Sequence, residues 1–268
     1  MKRRTRIFLD IAIPVVLYSV IILVMQLAVG LVFMVVYYAA FAGESLDAAS
    51  SALEQFLLDR SVLTSLISNL LIIGVIAVDT RIRRVKVKDY TLLSKPIGVR
   101  TAVCSVLTGL SFSAWLSMML AMLPIPDRLM EEYASASSLI GQTGLMEIVA
   151  VCLVGPLVEE MLFRGIVYKH LRICMPEYPA VILQAVVFAV LHGGSIVWVA
   201  YALVGGLLFG YLTMLTGSIR ASLLAHIMFN LLGYLPIADR LFGFIAAVSP
   251  LLLIFAVRDI YKQSVKIE

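Results

Sequence analysis

Charge is scarce in this chain. Asp, Glu, Lys and Arg supply 14% of its 268 residues, where an ordinary soluble domain has about 25%. Hydrophobic residues make up 62% and the mean hydropathy is +1.02, which places the chain among polytopic membrane proteins and excludes a water-soluble globule. Cysteine is equally sparse. Cys104, Cys152 and Cys174 lie in or at the ends of apolar runs, their spacing fits no zinc pattern, and they read as small buried hydrophobes. A removable signal peptide is missing, because the apolar run behind the basic N-terminus extends from Ile11 to Phe41. That is too long for a signal core and has no clear small-residue cleavage site. Nor is there an internal repeat strong enough to argue the inverted symmetry of a secondary transporter.

What the chain has in abundance is apolar runs near the ~20 residues that a bilayer-crossing helix needs. They predict about eight spans: Ile11–Ala40, Ser61–Val78, Thr101–Leu123, Thr143–Tyr168, Ala180–Leu191, Ile196–Thr216, Ile219–Leu235 and Leu241–Val257. With both termini in the cytoplasm, 17 of the 21 Lys and Arg fall on the cytoplasmic side, three fall outside, and Arg164 stays within the membrane, as the positive-inside rule demands. The basic loop RIRRVKVKDYTLLSKPIGVR then reads as a topology signal and lipid contact, not as a nucleic-acid site. Gly43–Arg60 and PIPDRLMEEYASASS, both acidic, read as external segments. The fifth span is short, and Pro176 and Pro179 suggest that its helix starts near Glu177, inside the cytoplasm. Gly205, Gly206 and Gly210 are spaced for close helix approach, and Gly206 and Gly210 form a GxxxG, a weak signal in Gly-rich membrane helices.

The organising stretch is Val151 to Arg172, VCLVGPLVEEMLFRGIVYKHLR, an apolar run with Glu159, Glu160 and Arg164 in its middle. One charge at the bilayer centre costs about 2.5–3.5 kcal/mol or more. Glu160 and Arg164 are i, i+4 neighbours and can pair. Glu159 points about 100° away and is left over. A structural ion cluster is the bland reading; for an intramembrane carboxylate, a functional site is the default. His192 ends the fifth span, and His226 and Asn230 share one face of the seventh. Singly, each histidine would be an ordinary interhelical hydrogen bond. Together with the glutamates they are most of the strongly polar groups in the C-terminal half of the membrane, Glu147 and Gln184 being the main exceptions. They would satisfy one another best by converging. His170, beside Lys169 and Arg172, is explained by a basic helix end. Convergent carboxylate, imidazole and amide groups suit water activation and oxyanion stabilisation; the same set could hold a metal with an open position.

Three elements occur in order: Glu159-Glu160-Met161-Leu162-Phe163-Arg164, then Phe188-Ala189-Val190-Leu191-His192, then His226-Ile227-Met228-Phe229-Asn230. With Gly165 and Gly193 following the first two, this resembles the CPBP family, which comprises the CAAX prenyl-protein endopeptidases and the bacterial Abi, or bacteriocin-processing, membrane proteins. The resemblance covers about residues 143–235. It divides the chain into N-terminal spans with external and basic loops (1–142), a catalytic core (143–235), and a last span with its tail (236–268), in one membrane domain. It implies an all-α fold with a polar intramembrane cavity open to the cytoplasm, so that, with the spans above, the expected chain is an all-α polytopic integral membrane protein of about eight transmembrane helices. It implies an intramembrane protease in which Glu159 is the general base, His192 helps activate water, His226 and Asn230 stabilise the oxyanion, and Glu160 and Arg164 brace the site. A divalent metal such as zinc at Glu159, His192 and His226 is the alternative scheme; Asn230, a poor zinc ligand, favours the metal-free one. The expected partners are the lipid bilayer and a membrane-associated peptide or protein, either a prenylated CAAX protein or a bacterial leader peptide, and no nucleic acid. The expected location is a bacterial cell membrane. Two other functions compete: a proton-coupled transporter using Glu159 as a relay, and a non-catalytic membrane immunity or scaffold protein.

Overall fold

The computed structural model describes residues 3–40, 46–138, 144–235 and 239–265; within these, the side chains of residues 46–60, 136–138, 239–240 and part of the first helix lie outside the description. All regular structure among the described residues is helical. In chain order the helices are α1 (Arg3–Ala40), α2 (Leu46–Ile82), the single turn α3 (Val87–Tyr90), α4 (Val99–Met122), α5 (Asp127–Ser138), α6 (residues 145–174), α7 (Glu177–His192), α8 (Ile196–Thr216), α9 (Ile219–Leu232) and α10 (Asp239–Val265).

Local chemistry sets the ends that matter for the site. Pro176 precedes α7, so the helix begins at Glu177, as its two prolines suggest. It stops at His192 because Gly193 and Gly194 take φ of 53° and 78°, a region open to glycine at little cost. Ser195 caps α8, its Oγ accepting the Trp198 N–H at 3.1 Å; Gly217, with φ 64°, ends that helix in the left-handed conformation. Ser218 Oγ accepts the Arg220 N–H at 3.3 Å and so opens α9.

Four helical segments among the described residues are long and apolar enough to cross a membrane: Ser61–Ile82, Val99–Met122, Ile196–Thr216 and Leu241–Val265. The other expected spans are helical too, but α7 and α9 are shorter apolar helices of 16 and 14 residues. At 1.5 Å per residue, α9 reaches roughly 21 Å, short of the ~30 Å hydrocarbon core. The segment expected to run to Leu235 ends as α-helix at Leu232, where i to i+3 turn bonds from the Gly233, Tyr234 and Leu235 N–H groups replace the helical ones. The last helix runs on to Val265, taking in charged residues that read as a tail. The acidic PIPDRLMEEYASASS contains α5, whose Tyr133 ring lies 5.7 Å from Trp198 on α8. Of the predicted external segment Gly43–Arg60, residues 43–45 lie outside the described residues and the rest continues helically into α2. The boundaries at 142 and 236 also lie outside them.

The core sits where α4, α8 and α9 meet. Phe112, Phe209 and Phe229 form its centre, their centroids 5.2–6.3 Å apart. The helices approach closely because Gly109 of α4 faces the α9 backbone, where a Cβ would overlap the Ala225 carbonyl. Cys104 and Cys152 are buried as expected, although the surroundings of Cys104 are not wholly apolar, its thiol donating to Asp259 Oδ2 at 3.5 Å. Cys174 is not: it is exposed, because it is the last residue of α6 before the Met175-Pro176 turn.

Candidate active site

The site begins in α6, where Pro156 disturbs the helix. Proline has no N–H to donate, and the flanking stretches Ile148–Val154 and Glu160–Tyr168 are π-helical. In the first of these, the Gly155 N–H bonds to the Ala150 carbonyl. In the same i to i+5 register Val151 would need the N–H of residue 156, which does not exist. The Val151 carbonyl is therefore open, and Asn230 Nδ2 of α9 donates to it at 2.8 Å. An irregular helix thus fixes the amide by supplying an unclaimed backbone acceptor.

One turn further along α6, Glu160 and Arg164 are both fully buried and form the predicted pair, Nη1 to Oε1 at 3.0 Å. The same carboxylate oxygen accepts from His226 Nδ1 at 2.9 Å. With Nδ1 committed, the ring turns its other edge toward Glu159, with Nε2 3.7 Å from Oε2. That separation exceeds a hydrogen bond. His226 therefore stands between the two glutamates. Glu160 is sealed at 0% exposure, while Glu159 keeps 18% of its side chain accessible.

Aromatic rings and backbone carbonyls hold these charges in place. The Arg164 guanidinium lies 4.4 Å from the Phe188 ring centroid and 5.6 Å from that of Phe209, and its Nη2 is 3.5 Å from the Gly206 carbonyl. Phe209 stacks on His226 at 4.5 Å. Phe188 also packs on His192, at 4.2 Å, and lies 6.4 Å from His226, so His192 joins the group through this ring. His192 Nδ1 is tied to the Phe188 carbonyl of its own helix at 2.8 Å, which leaves Nε2 as the edge available for chemistry. Glu159, Glu160, Arg164 and His226 thus meet directly, His192 borders them, and Asn230 is anchored about two helical turns away on α6, at Val151.

A metal does not find a ready ligand set here: among the described residues no three His, Cys, Asp or Glu side chains are grouped to hold an ion, Glu159, His192 and His226 included.

On the side the sequence assigns to the cytoplasm, the basic loop is strapped to the site helices. Ile219 N–H donates to the Leu92 carbonyl at 3.2 Å, Arg220 Nε to that of Leu93 at 2.9 Å, and Ser218 Oγ to that of Lys95 at 2.7 Å. Lys169 Nζ reaches the Asp89 carbonyl at 2.7 Å. Burial holds the Lys169 ammonium below its usual value, with the nearby Asp89 opposing the shift. His170 is more than a basic helix end: it is buried, bonded to the Ile166 carbonyl at 2.7 Å and edge-on to Tyr90 at 5.8 Å. It is part of this strap and apart from the glutamates.

Sequence reasoning left Phe209, Gly206 and the Val151 carbonyl out of the site. Phe209 carries no signal in an apolar run, Gly206 was marked only for close helix approach, and the Val151 carbonyl was signalled by Pro156, five residues on. Comparison with known families shows that residues 141–232 match the family described as Type II CAAX prenyl endopeptidase Rce1-like. No curated protein and no solved structure matches the chain.

Proposed function

We propose, with support from the match of residues 141–232 to the Type II CAAX prenyl endopeptidase Rce1-like family, that the chain is an intramembrane endopeptidase that hydrolyses a peptide bond with water activated by Glu159. The observation that carries this reading is the position of His226 between a sealed carboxylate and an accessible one. A base must meet water, and Glu159 can. A brace must hold its geometry, and Glu160, locked to Arg164 and His226, does.

In the proposed reaction the Glu159 carboxylate takes a proton from water as the water oxygen bonds to the substrate carbonyl carbon. His192 orients that water through Nε2. The new oxyanion is met by the second Asn230 N–H and, when Nε2 carries a proton, by His226. The carbon–nitrogen bond then breaks as the proton held on Glu159 passes to the leaving amine. His226 Nε2, facing Glu159, can take up and return that proton during the cycle, a role added to the oxyanion contact expected from sequence. No step requires a metal.

The substrate is a membrane-associated peptide or protein, and the family description makes a prenylated C-terminal peptide the first to try. The reading includes the remaining architecture: about eight spans, both termini in the cytoplasm of a bacterial cell, and a polar cavity at the glutamates opening to the cytoplasmic face. Its test is purified protein in lipid vesicles, given a quenched prenylated peptide and an unprenylated bacterial leader peptide, with the products read by mass. One new carboxylate and one new amine from either peptide is expected. Intact peptides, with the protein folded and inserted, would contradict the peptidase reading.

A further inference from the structure

Two features have no part in the chemistry so far: the buried polar residue Gln184, and the Gly206/Gly210 pair. The structure brings them together. Gln184 is fully buried in α7, and its Nε2 donates to the Gly206 carbonyl of α8 at 2.9 Å and to the Val181 carbonyl at 3.0 Å. The same Gly206 carbonyl is the acceptor 3.5 Å from Arg164 Nη2. Gln184 is thus three contacts from Glu160 and four from His226. The glycines provide the space for this: a Cβ on Gly210 would overlap the Gln184 amide nitrogen, and one on Gly206 would stand 3.1 Å from the Ala185 Cβ and 3.2 Å from the Phe188 ring.

An adhesive interhelical bond would explain Gln184 alone. It would not explain why the acceptor is shared with the arginine that braces the glutamate. Guanidinium donors lie in one rigid plane, so the direction of the Gly206 carbonyl helps fix the plane in which Arg164 meets Glu160. The Glu160 oxygen that binds Arg164 is also the one that binds His226. A displacement passed along this chain reaches the imidazole facing Glu159, and misplacement of about 1 Å can lower a rate 10²-fold.

We propose that Gln184 is a positioning residue for the hydrolysis: seated in the Gly206/Gly210 slot, it sets the Gly206 carbonyl and through it the Arg164–Glu160–His226 register. This rests on the peptidase reading. The test uses full-length protein in vesicles, with thermal unfolding checked for each variant. Gln184→Met keeps the length and removes the donor; it is expected to lower kcat roughly 10-fold, the smaller effect typical of groups that orient a site's own ligands. KM should stay near the wild-type value. Gly210→Ala should reproduce that loss by displacing the amide, yet cause little further loss in a Gln184→Ala protein, where only the Val181 side chain, 3.1 Å from that Cβ, still has to give way. A wild-type kcat for Gln184→Met, or a full additional loss in the double variant, would overturn the proposal. A second readout needs no activity: the proton signal of His226 Nδ1–H in nitrogen-15-labelled protein should move in Gln184→Met. An unmoved signal there would overturn the positioning role, whereas a signal that moves in Gln184→Met while the wild-type protein cleaves nothing would sink the peptidase reading alone.

Discussion

At the scale of single residues, two adjacent glutamates have opposite surroundings. Glu160 gives one oxygen to both Arg164 and His226, and its other oxygen is buried with no hydrogen-bond partner among the described residues. Replacing it strands Arg164, and breaking a buried ion pair costs about 3–5 kcal/mol. Glu160→Gln is therefore expected to lower thermal stability and membrane abundance well beyond Glu159→Gln; equal, wild-type abundance of the two would remove the bracing role. His226→Ala and Asn230→Ala should each lower kcat more than they raise KM, since their contacts strengthen as charge develops. Steady-state kinetics on the two variants checks this, and a change confined to KM would argue for simple substrate contact. Much of this was legible in the sequence. The i, i+4 spacing gave the Glu160–Arg164 pair, and isolated polar residues in apolar runs marked Glu159, His192, His226 and Asn230. The order of contacts was not legible, because which carboxylate His226 meets depends on the rotation and depth of two helices distant in sequence. His170 shows the same limit: charge at a helix end accounts for it locally, while its burial against Tyr90 is a tertiary fact.

At the scale of elements, the sequence showed most of the helices and some of their ends, such as Glu177 and Thr216, but not the ends at Leu232 and Val265 or the π-helical register of α6. A missing donor at Pro156 is visible in the sequence; whether the helix kinks, breaks or shifts register depends on its neighbours. Here it leaves the Val151 carbonyl to Asn230. Pro156→Ala should return an N–H to that position, release the Asn230 amide, and lower kcat while the helix gains stability. A rise in thermal stability without a kinetic effect would show that Asn230 needs no such anchor. Close approach is just as specific. A Cβ on Gly165 of α6 would stand 2.6 Å from the Thr91 carbonyl oxygen, whereas one on Gly74 of α2 meets nothing within 4 Å. Gly165→Ala is expected to destabilise by about 1–3 kcal/mol and Gly74→Ala to be neutral or better, as thermal unfolding of the two variants would show. Comparable losses at both would contradict this packing.

At the scale of the whole molecule, composition and the long apolar runs pointed to helices of membrane-crossing length, and the described residues form helices, four of them long and apolar enough to cross a membrane. The number of crossings was less evident. Some apolar runs become short helices, α7 stopped by Gly193 and Gly194 and α9 passing into turns after Leu232, and hydropathy does not distinguish a short core helix beside longer ones from a full span. The charge asymmetry still makes one expectation concrete: a topology reporter fused after Glu268 should read cytoplasmic, and an external reading would remove the eight-span layout. The central claim is that Glu159 activates the attacking water. The most direct measurement is the initial cleavage rate of folded, membrane-inserted Glu159→Gln protein against wild type. The substitution keeps size and hydrogen bonding but removes the base, so the rate should fall about 10²–10⁴-fold with unfolding behaviour unchanged. Cleavage at the wild-type rate by the Glu159→Gln protein would contradict the account.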